Sequence, residues 1–105
     1  MIAIGEEFLV GGQGGALYRG NNGVWTDLSQ SGYDIHGLAV NENTVWAACG
    51  GVGAGTVAED GGIEIVRSTF AVFCVHAAGA HVVFAGDRIV ARFDGTVWKG
   101  RRYDV

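Results

Sequence analysis

A short apolar segment that ends in glycine recurs three times along the chain at a nearly constant interval. Its closing glycines, Gly12, Gly50 and Gly86, are 38 and 36 residues apart. A repeat of this length is one supersecondary unit, which buries a core only by stacking on its neighbours. This interval therefore constrains the fold more than composition does. The three copies of the segment are residues 8–12, 46–50 and 82–86.

Each repeat divides into four short runs rich in Val, Ile, Phe and Trp, separated by Gly, Asn and Asp turns. Asn22-Gly23 and Asp94-Gly95 are strong hairpin dipeptides, because type I′ turns need positive φ at both central residues. No eleven-residue window has a helical period, so we predict essentially no helix. The predicted strands are residues 1–4, 7–11, 16–19 and 24–27, then 35–40, 44–50, 55–59 and 63–68, then 72–77, 81–86, 88–93 and 96–101.

Four strands in each repeat are typical of one blade of a β-propeller. We therefore predict an all-β single domain of three blades, each with four antiparallel strands, at about residues 1–33, 34–70 and 71–105. An innermost blade strand is buried on both faces, which fits the apolar run at residues 72–75. A β-sandwich also uses short strands but does not predict the repeat, and a parallel β-helix would need shorter rungs.

Three blades cannot close a ring, because propellers have four to eight. An open stack would leave one lateral face uncovered at each end, and no capping segment is visible in the sequence. Two copies would supply six blades, so we predict a homodimer that closes a six-bladed ring about a two-fold axis. A fragment of a longer chain, or one subunit of a mixed assembly, remains the alternative.

Charge and hydropathy exclude several classes of partner. The 105 residues carry a net charge of −4, and the one basic cluster is Lys99, Arg101 and Arg102. Nucleic-acid binding needs a basic stripe that neutralises phosphates, so we predict no nucleic-acid partner and interpret the cluster as a solvated tail. The longest uncharged run, residues 70–86, is shorter than the roughly 20 residues of a spanning helix. We predict no membrane partner and a soluble protein whose compartment is unknown.

Neither the cysteines nor the glycine-rich loop indicates a metal or a cofactor. Cys49 and Cys74 both lie in apolar runs, which predicts buried, reduced thiols. Cys74 and His76 would share one face of a strand, but zinc-type ligand spacing is missing, so we predict no metal. Residues 51–55 depart from the dinucleotide fingerprint and no helix follows them, so we predict no cofactor.

Catalytic motifs are missing from the sequence as well. None of the serines lies in a Gly-x-Ser-x-Gly elbow. Glu59, Asp60 and Glu64 could supply the carboxylate pair of a glycosidase, but acids beside a Gly-Gly turn are more typical of a solvated hairpin tip. We predict a protein that is not an enzyme, with no catalytic residue.

Two tryptophans at equivalent positions are the clearest sign of ligand binding. Residues 19–25 align without gaps on residues 92–98, and Arg, Val and Trp coincide. Aromatic rings with Arg and Asp nearby suit a glycan or peptide patch. The alternative is that both tryptophans pack blade against blade. The candidate ligand-binding residues are Trp25, Trp98, Arg19, Arg92 and Asp94.

Several motifs resemble known propeller families. The Gly-Gly pair at residues 11–12, followed by Tyr18 and Trp25, resembles a kelch repeat. Residues 43–51 are similar to the blades of bacterial propellers. Residues 94–98 resemble the Asp-box hairpin of sialidase-like propellers, without the leading Ser or Thr of that box. The resemblance covers nearly the whole chain and implies propeller blades, but it assigns no catalytic residue and selects no single family.

These observations together predict a non-enzymatic, self-assembling propeller module for binding or structural assembly. A glycan or a protein is the candidate ligand, since symmetric presentation of one surface raises avidity. Two alternatives remain open. One is an architectural subunit of a larger particle such as a virion, and the other is a fragment of a sialidase-like hydrolase.

Overall fold

Short strands form three separate four-stranded sheets in the computed structural model, which describes residues 2–21, 23–30, 32–68, 70–86 and 89–102. Gln13–Gly15 forms a single 3-10 turn, and no other helix occurs in these ranges. The predicted all-β class with four antiparallel strands to a sheet is thus confirmed. In the same described ranges, no helix is long and apolar enough to cross a membrane.

Each sheet is an antiparallel meander in which the order of strands in space is their order in the chain. All predicted strands are found, with ends within two residues of those predicted, although residues 1 and 88 lie outside the described ranges. The first sheet contains β1 (Ile2–Ile4), β2 (Glu7–Gly11), β3 (Leu17–Asn21) and β4 (Val24–Asp27). The second contains β5 (Gly37–Asn41), β6 (Thr44–Ala48), β7 (Ala54–Val57) and β8 (Ile63–Arg67). The third contains β9 (Cys74–Ala78), β10 (His81–Gly86), β11 (Ile89–Phe93) and β12 (Trp98–Arg102).

Tight turns join the strands of each sheet. Glu42 and Asn43, between β5 and β6, have φ of 48° and 66°, as a two-residue hairpin turn requires. Gly23 and Gly95, the predicted turn glycines, have φ of 84° and 98°. Asn22, the other residue of the first predicted dipeptide, lies outside the described residues.

The first hairpin of each sheet fixes which residues are structurally equivalent. Counted from the pair that closes each hairpin, Leu9, Trp46 and Val83 occupy the same position. The glycine-based alignment instead places Phe8 at the position of Trp46, so it is out of register by one residue in the second repeat. Gly50 lies six positions after the first residue of β6. Gly12 and Gly86 lie only five positions after the first residues of β2 and β10. A shift of one residue moves every side chain to the other face of a strand.

The three sheets stack face to face in chain order. We call the face that carries Phe8, Val45 or Val82 the front face of its sheet, and the face that carries Leu9, Trp46 or Val83 the back face. One buried cluster joins the back of the first sheet to the front of the second. Another joins the back of the second sheet to the front of the third. Strand β5 lies against both β1 and β9, so the first strands of the three sheets are neighbours.

The start of the third sheet differs from the prediction of a strand buried on both faces. Val72 is fully buried, but Phe73 is 43% exposed and Cys74 is exposed. Cys74 lies on the back face of the third sheet, against which no described strand packs. The prediction of a buried thiol is therefore correct for Cys49 and wrong for Cys74. Burial raises the pKa of the Cys49 thiol.

Candidate functional site

The two candidate tryptophans occupy equivalent positions in different sheets. Trp25 pairs with Gly20 across β3 and β4, and Trp98 pairs with Phe93 across β11 and β12. Both therefore lie on a front face, as the gapless alignment of their segments predicts. They differ in what covers them, because the third sheet has a neighbour in front of it and the first sheet has none among the described strands.

Trp98 packs inside an aromatic cluster between the second and third sheets. Its ring stacks on Phe93 at 4.8 Å between centroids and meets the edge of Trp46 at 6.2 Å. The guanidinium carbon of Arg67, from β8, lies 5.7 Å from the centroid of the Trp98 ring. Each aromatic pair of this kind is worth about 0.5–1.5 kcal/mol beyond the area it buries. Trp98 thus has the role of a packing residue between sheets.

Trp25 lies with other exposed aromatic side chains on the front of the first sheet. Phe8 is 42% exposed, Tyr18 41% and Trp25 44%. The strand registers place these three and the half-buried Val10 on one surface, which we call the aromatic face. Contiguous exposed aromatic side chains mark an interaction site more often than single ones do. Sequence reasoning missed Phe8, although its alternation with Val10 along β2 could have revealed it.

The two candidate arginines lie on the opposite side of their sheets from the tryptophans. Arg19 is on the back of the first sheet, where its Nε donates to Glu7 Oε1 at 3.3 Å. Arg92 is on the back of the third sheet and is exposed. The structure therefore does not bring the candidate arginines and tryptophans together into one site.

Asp94 closes the turn between β11 and β12. Its Oδ1 accepts hydrogen bonds from the backbone N–H groups of Val97 at 2.8 Å and Thr96 at 2.9 Å. These bonds favour the ionised carboxylate and hold the pKa of Asp94 below its ordinary value of 3.8. The side chain thus orders an Asx-type turn, which aligns β12 and with it Trp98.

We expect Asp94→Ala to lower the melting temperature at pH 7 by a few degrees, because two turn N–H groups lose their acceptor. Asp94→Asn, which keeps an acceptor oxygen, is expected to retain most of the stability. The folded-state pKa is depressed, so the contribution of the carboxylate is fully present above pH 3.8 and is lost as pH falls through the folded value. Thermal melts at pH 7 and near pH 3 should show the gap between wild type and Asp94→Asn closing in acid. Equal melting of wild type and Asp94→Ala at pH 7 would contradict this role.

The back of the third sheet carries a cluster of positive charge. Lys99 and Arg101 lie in strand β12, inside the strand predicted at residues 96–101, and both are exposed, as expected of solvated charges. With Arg92 and Val90 they line an open groove of about 370 Å³. We call this surface, together with Val83, the basic face. The side chain of Arg102 lies outside the described part of the structure.

A second groove runs beside Trp98 at the junction of the second and third sheets. Its volume is about 360 Å³, and Arg67, Phe70 and Gly100 contribute to its wall.

Across the described ranges, no three His, Cys, Asp or Glu side chains are grouped so that they could hold a metal ion. The acids considered for glycoside hydrolysis include Asp60, whose Oδ1 accepts from the N–H of Gly62 at 2.9 Å in a turn.

No family model, curated protein or solved structure matches this chain. Its function is therefore inferred from the faces of its own three sheets. Two of those faces, the aromatic face and the basic face, have no described strand packed against them.

Proposed function

We propose that this chain is a non-enzymatic assembly module, in which three propeller blades of one copy and three of another close a six-bladed ring. The observation that supports it most strongly is the exposed aromatic face on the first sheet. Propellers bury every blade between two neighbours. In this proposal the three sheets are blades, and Trp25 packs against a second copy rather than binding a small ligand.

The way the sheets already stack supports ring closure. Each internal junction covers a front face with the back face of the preceding sheet. Leu9 and Leu17 are almost fully buried at the first junction, as Phe84 and Val82 are at the second. The aromatic face is a front face and the basic face is a back face. Continuing the same stacking in both directions would therefore place a back face against the aromatic face and a front face against the basic face. Only the two outermost faces lack such a partner among the described strands.

The area of these faces is adequate for a stable association. Strands about 4.8 Å apart and five residues long give a four-stranded sheet a planar face of roughly 300 Å². A closed dimer has two junctions, so each copy would cover roughly 600 Å² of planar face. Standard protein interfaces bury about 800 Å² of accessible surface on each partner. Accessible area exceeds planar area, so the two values agree.

We expect the purified protein to have a solution mass of twice 11.0 kDa by light scattering at micromolar concentration. Tyr18→Glu should shift it towards the monomer, because a carboxylate would then be buried in the apolar junction. Val24→Glu is the matched control. Val24 is 77% exposed, and its side chain points away from the aromatic face. A wild-type protein that is a monodisperse monomer would contradict the proposal.

A further inference from the structure

The junction between the second and third sheets shows how one back face meets a front face. Trp46, on the back of the second sheet, places its ring 5.8 Å from that of Phe84 and 5.4 Å from that of Phe93. Arg67, on the same back face, lies over Trp98 at 5.7 Å. The junction is therefore an aromatic contact with a cation placed over its outermost ring.

An arginine equivalent to Arg67 lies on one uncovered face, and a tryptophan equivalent to Trp98 lies on the other. Arg67 pairs in its sheet as Arg101 pairs in the third, so these arginines are equivalent and both lie on a back face. Trp25 is likewise the front-face equivalent of Trp98. The uncovered basic face thus offers the arginine of the internal junction, and the uncovered aromatic face offers its tryptophan.

One pair of positions differs in side-chain size between the internal junction and the uncovered faces. At the internal junction the large residue is Trp46 on the back face, opposite a front face that carries the small Ala91. On the uncovered faces this relation is reversed. Val83 replaces Trp46 on the basic face, and Tyr18 replaces Ala91 on the aromatic face. At this pair of positions the larger side chain therefore lies on the front face instead of the back face.

Charge also favours the contact of a basic face with an aromatic face over the contact of two basic faces. Arg92, Lys99 and Arg101 would repel one another across two apposed basic faces. The aromatic face carries Asp27, which pairs with Tyr18 in the register of β3 and β4. The basic side chains would be attracted electrostatically to the aromatic rings and to this carboxylate. An aromatic face against a second aromatic face would leave both basic faces uncovered.

We infer that the occupant of the aromatic face is the basic face of a second copy of this chain, with Arg101 of one copy over Trp25 of the other. The inference rests on the proposed self-assembly and adds which faces meet and through which residues. A two-fold axis makes two such junctions identical, so both open faces of each copy are covered at once.

Cysteine cross-linking tests which faces meet, with a bis-maleimide long enough to span the roughly 10 Å between packed sheets. Val10 and Val83 are the equivalents of Phe84 and Trp46, whose ring centroids lie 5.8 Å apart at the internal junction. In a Cys74→Ser background, a Val10→Cys chain mixed with a Val83→Cys chain should form a mixed cross-linked dimer with this reagent, and neither chain alone should be cross-linked. A dimer that cross-links two Val10→Cys chains, or that forms no mixed cross-link, overturns the inference and leaves self-assembly intact. A monomer in light scattering overturns both.

A charge reversal tests the cation itself. Arg101→Glu should weaken the dimer by about tenfold or more in Kd, measured by analytical ultracentrifugation, because the cation over Trp25 is lost. Lys99→Glu is the matched control, with the same charge change on the same strand. Lys99 is equivalent to Glu64 of the internal junction, so a glutamate at position 99 is already compatible with this kind of junction. Equal weakening by both variants would overturn the Arg101–Trp25 contact in favour of a general charge effect.

Discussion

Trp46→Ala is expected to lower the free energy of unfolding by about 3–5 kcal/mol, the usual cost of removing a buried tryptophan. Trp46 is 7% exposed and contacts the rings of Phe84, Phe93 and Trp98. Its removal leaves a cavity in the buried cluster that joins the second and third sheets. Small domains are stable by only about 5–15 kcal/mol, so the variant should be close to unfolding at physiological temperature.

Urea unfolding followed by tryptophan fluorescence and far-UV circular dichroism would measure this loss. Trp25→Ala is the control, because Trp25 is 44% exposed within one copy. Its effect should depend on protein concentration, since the proposed contact lies between copies, whereas the loss in Trp46→Ala should persist at every concentration. A loss below 1 kcal/mol for Trp46→Ala would show that the aromatic cluster does not hold the second and third sheets together.

Gly86→Ala is expected to destabilise the third sheet by about 3 kcal/mol, the upper part of the range for overpacked sites. A Cβ at Gly86 would overlap the backbone carbonyl oxygen of Ala71, which passes beside the end of β10. That segment is held there, because the N–H of Phe73 donates to Ala85 at 2.8 Å. Since the obstacle is backbone, no change of side-chain rotamer can relieve it.

Gly100→Ala provides the matched control in the same sheet. A Cβ at Gly100 would have the carbonyl oxygen of Val90 as its nearest neighbour, at 3.9 Å, which is ordinary contact. This substitution should leave the melting temperature unchanged or raise it slightly, since alanine reduces the freedom of the unfolded chain. Similar melting temperatures for Gly86→Ala and the wild type would contradict the close approach of the Ala71 segment.

Local patterns were sufficient to predict the strands. The runs of Val, Ile, Phe and Trp between turn residues located every strand to within two residues. The alignment of residues 19–25 on residues 92–98 correctly placed Trp25 and Trp98 at equivalent positions. Both inferences succeed because hairpin register depends on neighbours in sequence and on turn chemistry.

The candidate site could be predicted only in part. Trp25 was identified, but Phe8 was not, because the glycine-based alignment is shifted by one residue at Trp46 and a shift of one exchanges the faces of a strand. Arg19 and Arg92 were grouped with the tryptophans by closeness in sequence, although they lie on the opposite side of their sheets. Alternation along a strand assigns two faces without saying which neighbour each one meets.

The sequence by itself determined a chain of three similar four-stranded units with tight turns and almost no helix. Periodic glycines, turn dipeptides and apolar runs act over a few residues, so their effects can be read locally. The tertiary structure decided how the units stack. It buries Trp98 against Trp46 and leaves Trp25 exposed at an equivalent position. Burial depends on what lies across a junction, and residues far apart in sequence supply that surface.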